Sequence, residues 1–210
     1  PLGSIGSAAT ASSILKLNTH QTSIALALAA SQASGLRQNF GSMAKPFHPG
    51  LACKDGVLAA QLALSGFTAD ENIFEGRFGF LRAFSGGENY SPHKILESLK
   101  ETSHMLESGV EIKKYPCCGS SHLSLDAIFK IIASHNLDIN QISRITSWVD
   151  FDPPRSLVHY EPKSALEGKF SMQYLLSAAL VDHQIGLDSF SDNKISRPEI
   201  QALMHKVVMT

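Results

Sequence analysis

The sequence has few cysteines, no excess of charge of one sign and no long apolar run, and each shortage excludes a class of protein. Three cysteines in 210 residues cannot build a disulfide framework, so we interpret all three as free thiols. Lysine and arginine number 18 against 19 aspartates and glutamates, which is not the basic surplus that binds nucleic acid. No apolar run approaches the roughly 20 residues that cross a bilayer, and no signal-peptide pattern is present. We therefore predict a soluble protein without nucleic-acid or membrane partners, in the cytoplasm or, for a eukaryotic source, in mitochondria.

Several sequence motifs are also missing. The chain has no phosphate-binding loop, dinucleotide fingerprint or nucleophile elbow. None of its nine histidines is paired with another histidine or an acid in a known metal-ligand pattern. The sequence thus predicts no metal and no cofactor, and acid/base chemistry on a small anion is the activity that remains.

The apolar pattern divides the chain into two parts. With 43% hydrophobic residues it can bury a sizeable core. The first half carries apolar helical stretches such as 24–30 and 57–64, whereas the second half alternates helical and β-branched segments. We predict an α+β protein with an all-helical portion over 1–110 and an α+β portion over 111–210. The second portion is expected to contain a helix over 168–181 and a terminal β-prone stretch at 206–210 with no partner strand after it.

The first candidate functional motif is the stretch 41–50, Gly-Ser-Met-Ala-Lys-Pro-Phe-His-Pro-Gly. Two glycines and two prolines predict a fixed loop that carries Lys45 and His48. Such a loop can direct a lysine at a carboxylate and hold a histidine for proton transfer. The alternative interpretation is a solvated lysine and a structural histidine in a rigid turn.

The second motif is the stretch 113–122, Lys-Lys-Tyr-Pro-Cys-Cys-Gly-Ser-Ser-His. Two cations precede a turn into a helix N-terminus, where free N–H groups favour an anion. The alternative is an edge strand with solvated lysines and an ordinary serine cap. The adjacent Cys117 and Cys118 do not have the spacing of zinc or redox motifs, and we interpret them as packing residues.

Together with Glu167-Gly-Lys-Phe-Ser-Met-Gln-Tyr174 and shorter stretches in the first half, these motifs make the sequence resemble the MmgE/PrpD family. That family includes 2-methylcitrate dehydratase, cis-aconitate decarboxylase and iminodisuccinate epimerase. The resemblance implies a helical domain followed by an α+β lid, dimeric assembly, and dehydration, decarboxylation or epimerisation of small di- or tricarboxylates without a cofactor.

The resemblance also assigns roles to individual residues. Lys45, His48 and Lys113 match catalytic positions, whereas Lys114, Cys118 and His122 match substrate-binding positions. Lys114 is a rival to Lys113 as the site lysine. The cis-aconitate decarboxylase pattern has a histidine where this chain has Cys118, and the Cys-Cys pair is more similar to the dehydratase branch. We expect the lysines and histidines of the two motifs to converge on a cleft between the two portions.

Two departures from the family lead to a further expectation. Family members are roughly twice as long, and an Asp-rich, His-containing motif that supplies their main acid/base groups has no counterpart in this chain. We expect the chain to be a central piece of such a protein, truncated at both ends and inactive alone. Residues 1–4 are also typical of a remnant of fusion cleavage, although a native origin is equally compatible. The competing hypothesis is a non-catalytic module that acts through association.

Overall fold

The computed structural model describes residues 1–86, 90–100, 106, 109–149 and 156–210. They form two compact units. One contains Pro1–Leu36 and Pro46–Val110, and the other contains Arg37–Lys45 and Glu111–Thr210. A short segment from the first half of the sequence thus belongs to the second unit.

The first unit is built from helices. They are α1 (Leu2–Ile14), α2 (Thr19–Ser31), α3 (Ala44–Leu64), α4 (Phe80–Phe84) and α5 (Pro92–Lys100), with the first two residues of α3 grouped in the second unit.

Small side chains let the helices of the first unit approach closely. Asn18 caps α2 through a reciprocal pair of hydrogen bonds with Gln21, which fixes where this apolar helix begins. The core holds Ile24 of α2 and mainly alanines besides, among them Ala8 of α1, which is fully buried. The apolar face of α2 is therefore covered within the first unit itself.

The structure corrects the prediction of a loop over 41–50. Residues from Ala44 onward form the first turns of α3, and Lys45 and His48 both lie on this helix. The first turn of a helix does not use its N–H groups, so Pro46 is tolerated there. Pro49 lies further in, where it cannot donate to the carbonyl of Lys45. Proline therefore marks the start of this helix and does not exclude one.

The second unit combines helices with two short strands. In chain order they are α6 (His122–Ser134), β1 (Ile145–Ser147), α7 (Ala165–Gly168), α8 (Met172–Asp182), α9 (Asp192–Ile195), α10 (Pro198–Met204) and β2 (Val207–Met209). Short 3₁₀ turns occupy Arg37–Asn39, Gly119–Ser121, Ile139–Gln141 and Leu187–Ser189.

The two strands pair in parallel, with Ile145 opposite Val207 and Ser147 opposite Met209. The terminal stretch that was predicted to be β-prone is therefore a strand of this sheet. Its partner is the β-branched segment around β1, some sixty residues earlier in the chain. The prediction of an α+β fold is confirmed.

Helix α8 is the centre of the second unit. Every residue from Met172 to Leu180 is buried, which is typical of a helix enclosed on all sides. The single predicted helix over 168–181 is divided, because Ser171 accepts a hydrogen bond from the Tyr174 N–H and caps a new helix. The Lys169–Ser171 segment between α7 and α8 is thus free to make other contacts.

None of the helices in the described ranges is both long and apolar enough to span a membrane.

Candidate active site

Lys45 lies against two aromatic rings in the second unit. Its Nζ is 5.7 Å from the centroid of the Phe40 ring and 5.5 Å from that of Phe170, and the two rings are 5.4 Å apart. Aromatic faces attract a cation without neutralising its charge. Within the part of the chain that the structure describes, no carboxylate pairs with Lys45, so its charge is available to an anion.

Lys113 closes a tight turn that precedes α6. Its Nζ donates a hydrogen bond to the carbonyl oxygen of Cys117 at 2.9 Å. The Cys117 thiol is buried, and burial raises its pKa, while a hydrogen bond with Ser121 and the positive charges of Lys113 and Lys169 act against that rise. Two cations therefore act on the Cys117 thiol. Lys113 has no acidic partner among the described residues.

Lys114 differs from its neighbour because a carboxylate of the protein neutralises it. Its Nζ lies 2.5 Å from an oxygen of Asp126 on α6, and the same oxygen accepts the Tyr115 hydroxyl at 2.6 Å. The hydrogen bonds from Lys114 and Tyr115 hold the pKa of the Asp126 carboxyl below its usual value, and the bond to Asp126 raises the pKa of Lys114. Of the two rival lysines, Lys113 is the one without a counterion in the described ranges.

Cys118 connects the start of α6 to the segment between α7 and α8. Its backbone N–H donates to the Lys169 carbonyl at 3.0 Å, and its thiol donates to the Ser156 hydroxyl at 3.4 Å. Ser120 also contacts the Ser156 hydroxyl, at 3.1 Å. The half-buried thiol is therefore surrounded by hydroxyl groups and backbone at a helix N-terminus.

His122 packs edge-on against the Tyr115 ring, with centroids 5.2 Å apart. Its Nε2 is buried and has no hydrogen-bond partner among the described residues. A buried nitrogen without a partner is costly, and at this position it leaves one donor or acceptor free.

His48 belongs to the first unit. Its ring lies over Gly35, where a Cβ would come within 3.5 Å of it. The other five predicted site residues, Lys45 among them, belong to the second unit. The predicted convergence of His48 with these residues stays a prediction.

One line of contacts links the two site lysines inside the second unit. Lys45 contacts the ring of Phe170, and Phe170 directly follows Lys169 in the sequence. The Lys169 carbonyl accepts a hydrogen bond from the Cys118 N–H. The preceding residue, Cys117, has the carbonyl that Lys113 binds. Lys45 and Lys113 therefore belong to one connected set of residues in the second unit. The ranges that the structure describes contain no cluster of three or more acidic, cysteine or histidine side chains that could hold a metal ion.

Sequence comparison decides the family. Residues 1–93 match the model of the MmgE/PrpD N-terminal domain, and residues 115–210 match that of the MmgE/PrpD C-terminal domain. The chain belongs to the MmgE/PrpD family. The two matches are separated by residues 94–114.

Curated MmgE/PrpD relatives carry the name cis-aconitate decarboxylase. The chain is 33% identical to the human protein over 213 residues, which is 98% of this chain and 43% of that protein. It is 31% identical to the mouse protein, over 98% of this chain and 42% of that protein. It is 30% identical to the protein of Aspergillus terreus strain NIH 2624, over 92% and 42% respectively. The chain thus spans less than half the length of the curated relatives that it matches.

The predicted site residues of this MmgE/PrpD chain do not include two side chains that the structure places beside them. The Lys169 ammonium lies 5.3 Å from the centroid of the Phe190 ring, and its charge acts on the Cys117 thiol. His159 hydrogen-bonds to the segment that carries Lys45. Lys169 lies within the third sequence motif, where it could have been selected as a second cation. His159 lies in no motif, and only the folded chain brings it to this segment.

Proposed function

We propose that the full-length protein is a cofactor-free lyase of small tricarboxylates, and that its first candidate reaction is decarboxylation of cis-aconitate. The observation that carries the proposal is that Lys45 and Lys113 lie in one unit without a carboxylate partner in the described ranges, while Lys114 is neutralised by Asp126. The names of the relatives support this choice of substrate.

The proposed chemistry needs cations more than it needs a strong nucleophile. The bond between the CH₂ carbon of cis-aconitate and its carboxylate breaks, and CO₂ leaves. The electron pair of that bond forms a new C=C bond to the central carbon, and the former double-bond pair moves to the third carbon, which takes up a proton. Negative charge develops beside a retained carboxylate, so lysines at the retained carboxylates stabilise the transition state.

In this proposal Lys45 and Lys113 each bind one retained carboxylate, and the α6 N-terminus near Cys118 adds backbone donors. His122 contributes its free ring nitrogen to substrate binding. His48 remains the candidate for proton transfer, as the sequence motif indicates.

A second candidate reaction is dehydration of 2-methylcitrate. Cys118 favours it, because a half-buried thiol held by Ser156 stands where the resemblance places a histidine in decarboxylases. A dehydratase removes a proton beside a carboxylate and expels hydroxide, and the same two lysines would serve it.

We also propose that the full-length protein is a homodimer and that the 210-residue chain alone has little or no turnover. The chain covers 43% of the human relative. A non-catalytic module that acts by association would share both properties, so activity must be measured on the full-length protein.

The test incubates full-length protein separately with cis-aconitate and with 2-methylcitrate and follows the products by proton NMR. We expect CO₂ release and itaconate from cis-aconitate. Lys45→Ala should lower kcat/KM by about 100-fold or more. Lys130→Ala, which removes an exposed lysine of α6 in the same unit, should change it less than about 2-fold. Conversion of 2-methylcitrate alone would establish the dehydratase, and conversion of neither substrate would overturn both candidates.

A further inference from the structure

His159 makes hydrogen bonds to both aromatic residues that hold Lys45. Its ring Nε2 lies 2.7 Å from the Phe40 carbonyl oxygen, and its backbone N–H donates to the Phe170 carbonyl at 3.3 Å. A carbonyl oxygen can only accept, so Nε2 carries the proton and donates. One residue therefore ties together two chain segments that are 130 positions apart in sequence.

Gly41, next to Phe40 in the sequence, leaves space for the His159 ring. Gly41 is buried and has φ +92°, a backbone conformation that other residues rarely adopt. A Cβ at this position would lie 2.1 Å from His159 Nε2, which is far inside van der Waals contact. Any side chain at position 41 would displace the His159 imidazole. The position of this ring therefore depends on a glycine at position 41.

The contact has a direct consequence for Lys45. The segment from Phe40 to Lys45 is short, and the Lys45 ammonium lies over the two rings whose backbones His159 binds. Loss of the ring hydrogen bond frees the Phe40 carbonyl and lets this segment leave Phe170. The ammonium then loses its fixed position, although Lys45 itself is unchanged.

We infer that His159 is a positioning residue that holds the Lys45 ammonium in place for a substrate carboxylate, with Gly41 providing the space for its ring. The inference rests on the proposed function, because it gives the position of Lys45 a purpose in carboxylate binding. It assigns His159 no contact with the substrate.

The activity test is a double-mutant cycle in the full-length protein with cis-aconitate as substrate. His159→Leu should lower kcat/KM by about 10-fold, the size expected for one lost hydrogen bond that orients a charged group. His159→Gln keeps an N–H donor and should recover most of the rate. In a Lys45→Ala background, His159→Leu should cause no further loss, because the residue through which it acts is absent.

The second test measures the position of the Lys45 side chain by NMR and does not depend on enzymatic activity. Reductive methylation with ¹³C-formaldehyde labels the lysines of the full-length protein, and the dimethyl signal of Lys45 is assigned by its absence in Lys45→Ala. Protons above aromatic rings are shifted upfield, so we expect an upfield signal in the natural protein. It should move to the position of exposed lysines in His159→Leu and in Gly41→Ala, and remain upfield in His159→Gln.

The outcomes separate this inference from the proposed function. An unchanged rate in Lys45→Ala would overturn the lysine's proposed role, while the NMR signal would still decide whether His159 positions it. Equal rate losses from His159→Leu with and without Lys45 would overturn the inference, as would an unmoved NMR signal. If His159→Leu fails to fold, Gly41→Ala provides the same two readings.

Discussion

Two glycines of α3 provide a matched test of how tightly the first unit is packed. A Cβ on Gly56 would lie 2.5 Å from the backbone nitrogen of Ala8 and 2.5 Å from Ser7 Cβ, whereas a Cβ on Gly50 meets nothing within 4 Å. Non-bonded atoms prefer about 3.5 Å or more, so Gly56→Ala forces α1 away from α3 by about 1 Å. That shift also strains the hydrogen bond from the Ser7 hydroxyl to the Cys53 carbonyl.

The two substitutions should change the free energy of unfolding in opposite directions. Overpacking of this kind destabilises a protein by about 1–3 kcal/mol. The higher helix propensity of alanine relative to glycine stabilises it by up to about 1 kcal/mol. Gly56→Ala should therefore lower the free energy of unfolding by about 1–2 kcal/mol. Gly50→Ala, with only the propensity term, should raise it by about 0.5–1 kcal/mol.

The assay is urea unfolding of both variants, followed by far-ultraviolet circular dichroism, with the midpoint compared at constant slope. Equal stabilisation by the two alanines would refute the close approach of α1 to α3 at Ala8. Equal destabilisation would instead show that Gly50 is not in open space.

Two predictions concern the second unit. Arg197 donates two hydrogen bonds, at 2.8 and 2.7 Å, to the Asp182 carboxylate, and Arg197→Leu should cost about 2–3 kcal/mol in urea unfolding. Burial raises the pKa of Asp182, but Arg197 and, to a smaller extent, Lys194 outweigh burial, and the net pKa is lowered. The stabilisation is therefore complete above about pH 4 and is lost as pH falls through the lowered pKa. An acid midpoint unaffected by Arg197→Leu would contradict this. Tyr174→Phe removes a hydrogen bond to the Ser189 carbonyl and should cost about 1 kcal/mol by the same assay, and an unchanged midpoint would show that this bond contributes nothing.

The sequence predicted the fold class well because hydrophobic periodicity is local. The apolar face of α6 and the enclosed α8 follow directly from their residues. The loop expected over 41–50 was wrong, because proline near a helix N-terminus is compatible with helix and the sequence pattern does not distinguish the two cases. The interruption at Ser171 was missed because the apolar periodicity predicts one continuous helix, and a single serine cap is a much weaker signal.

Contacts between segments that are distant in the sequence could not be predicted from the local pattern of residues. Sequence reasoning left Lys113 and Lys114 as rivals, and only the position of Asp126 on α6 distinguishes them. The link between His159 and Phe40 joins residues 119 positions apart, and no local signal marks it. Such contacts depend on the assembled core and not on the neighbouring residues.

The most direct test of the account compares Lys113→Met with Lys114→Met in the full-length protein, with cis-aconitate as substrate. Both variants remove one ammonium from the same short segment, but of the two lysines only Lys114 has a counterion within the part of the chain that the structure describes. We predict that Lys113→Met lowers kcat/KM by about 100-fold or more and that Lys114→Met changes it by less than about 3-fold. Equal losses in the two variants, or a larger loss in Lys114→Met, would contradict the assignment of Lys113 as the substrate-binding cation.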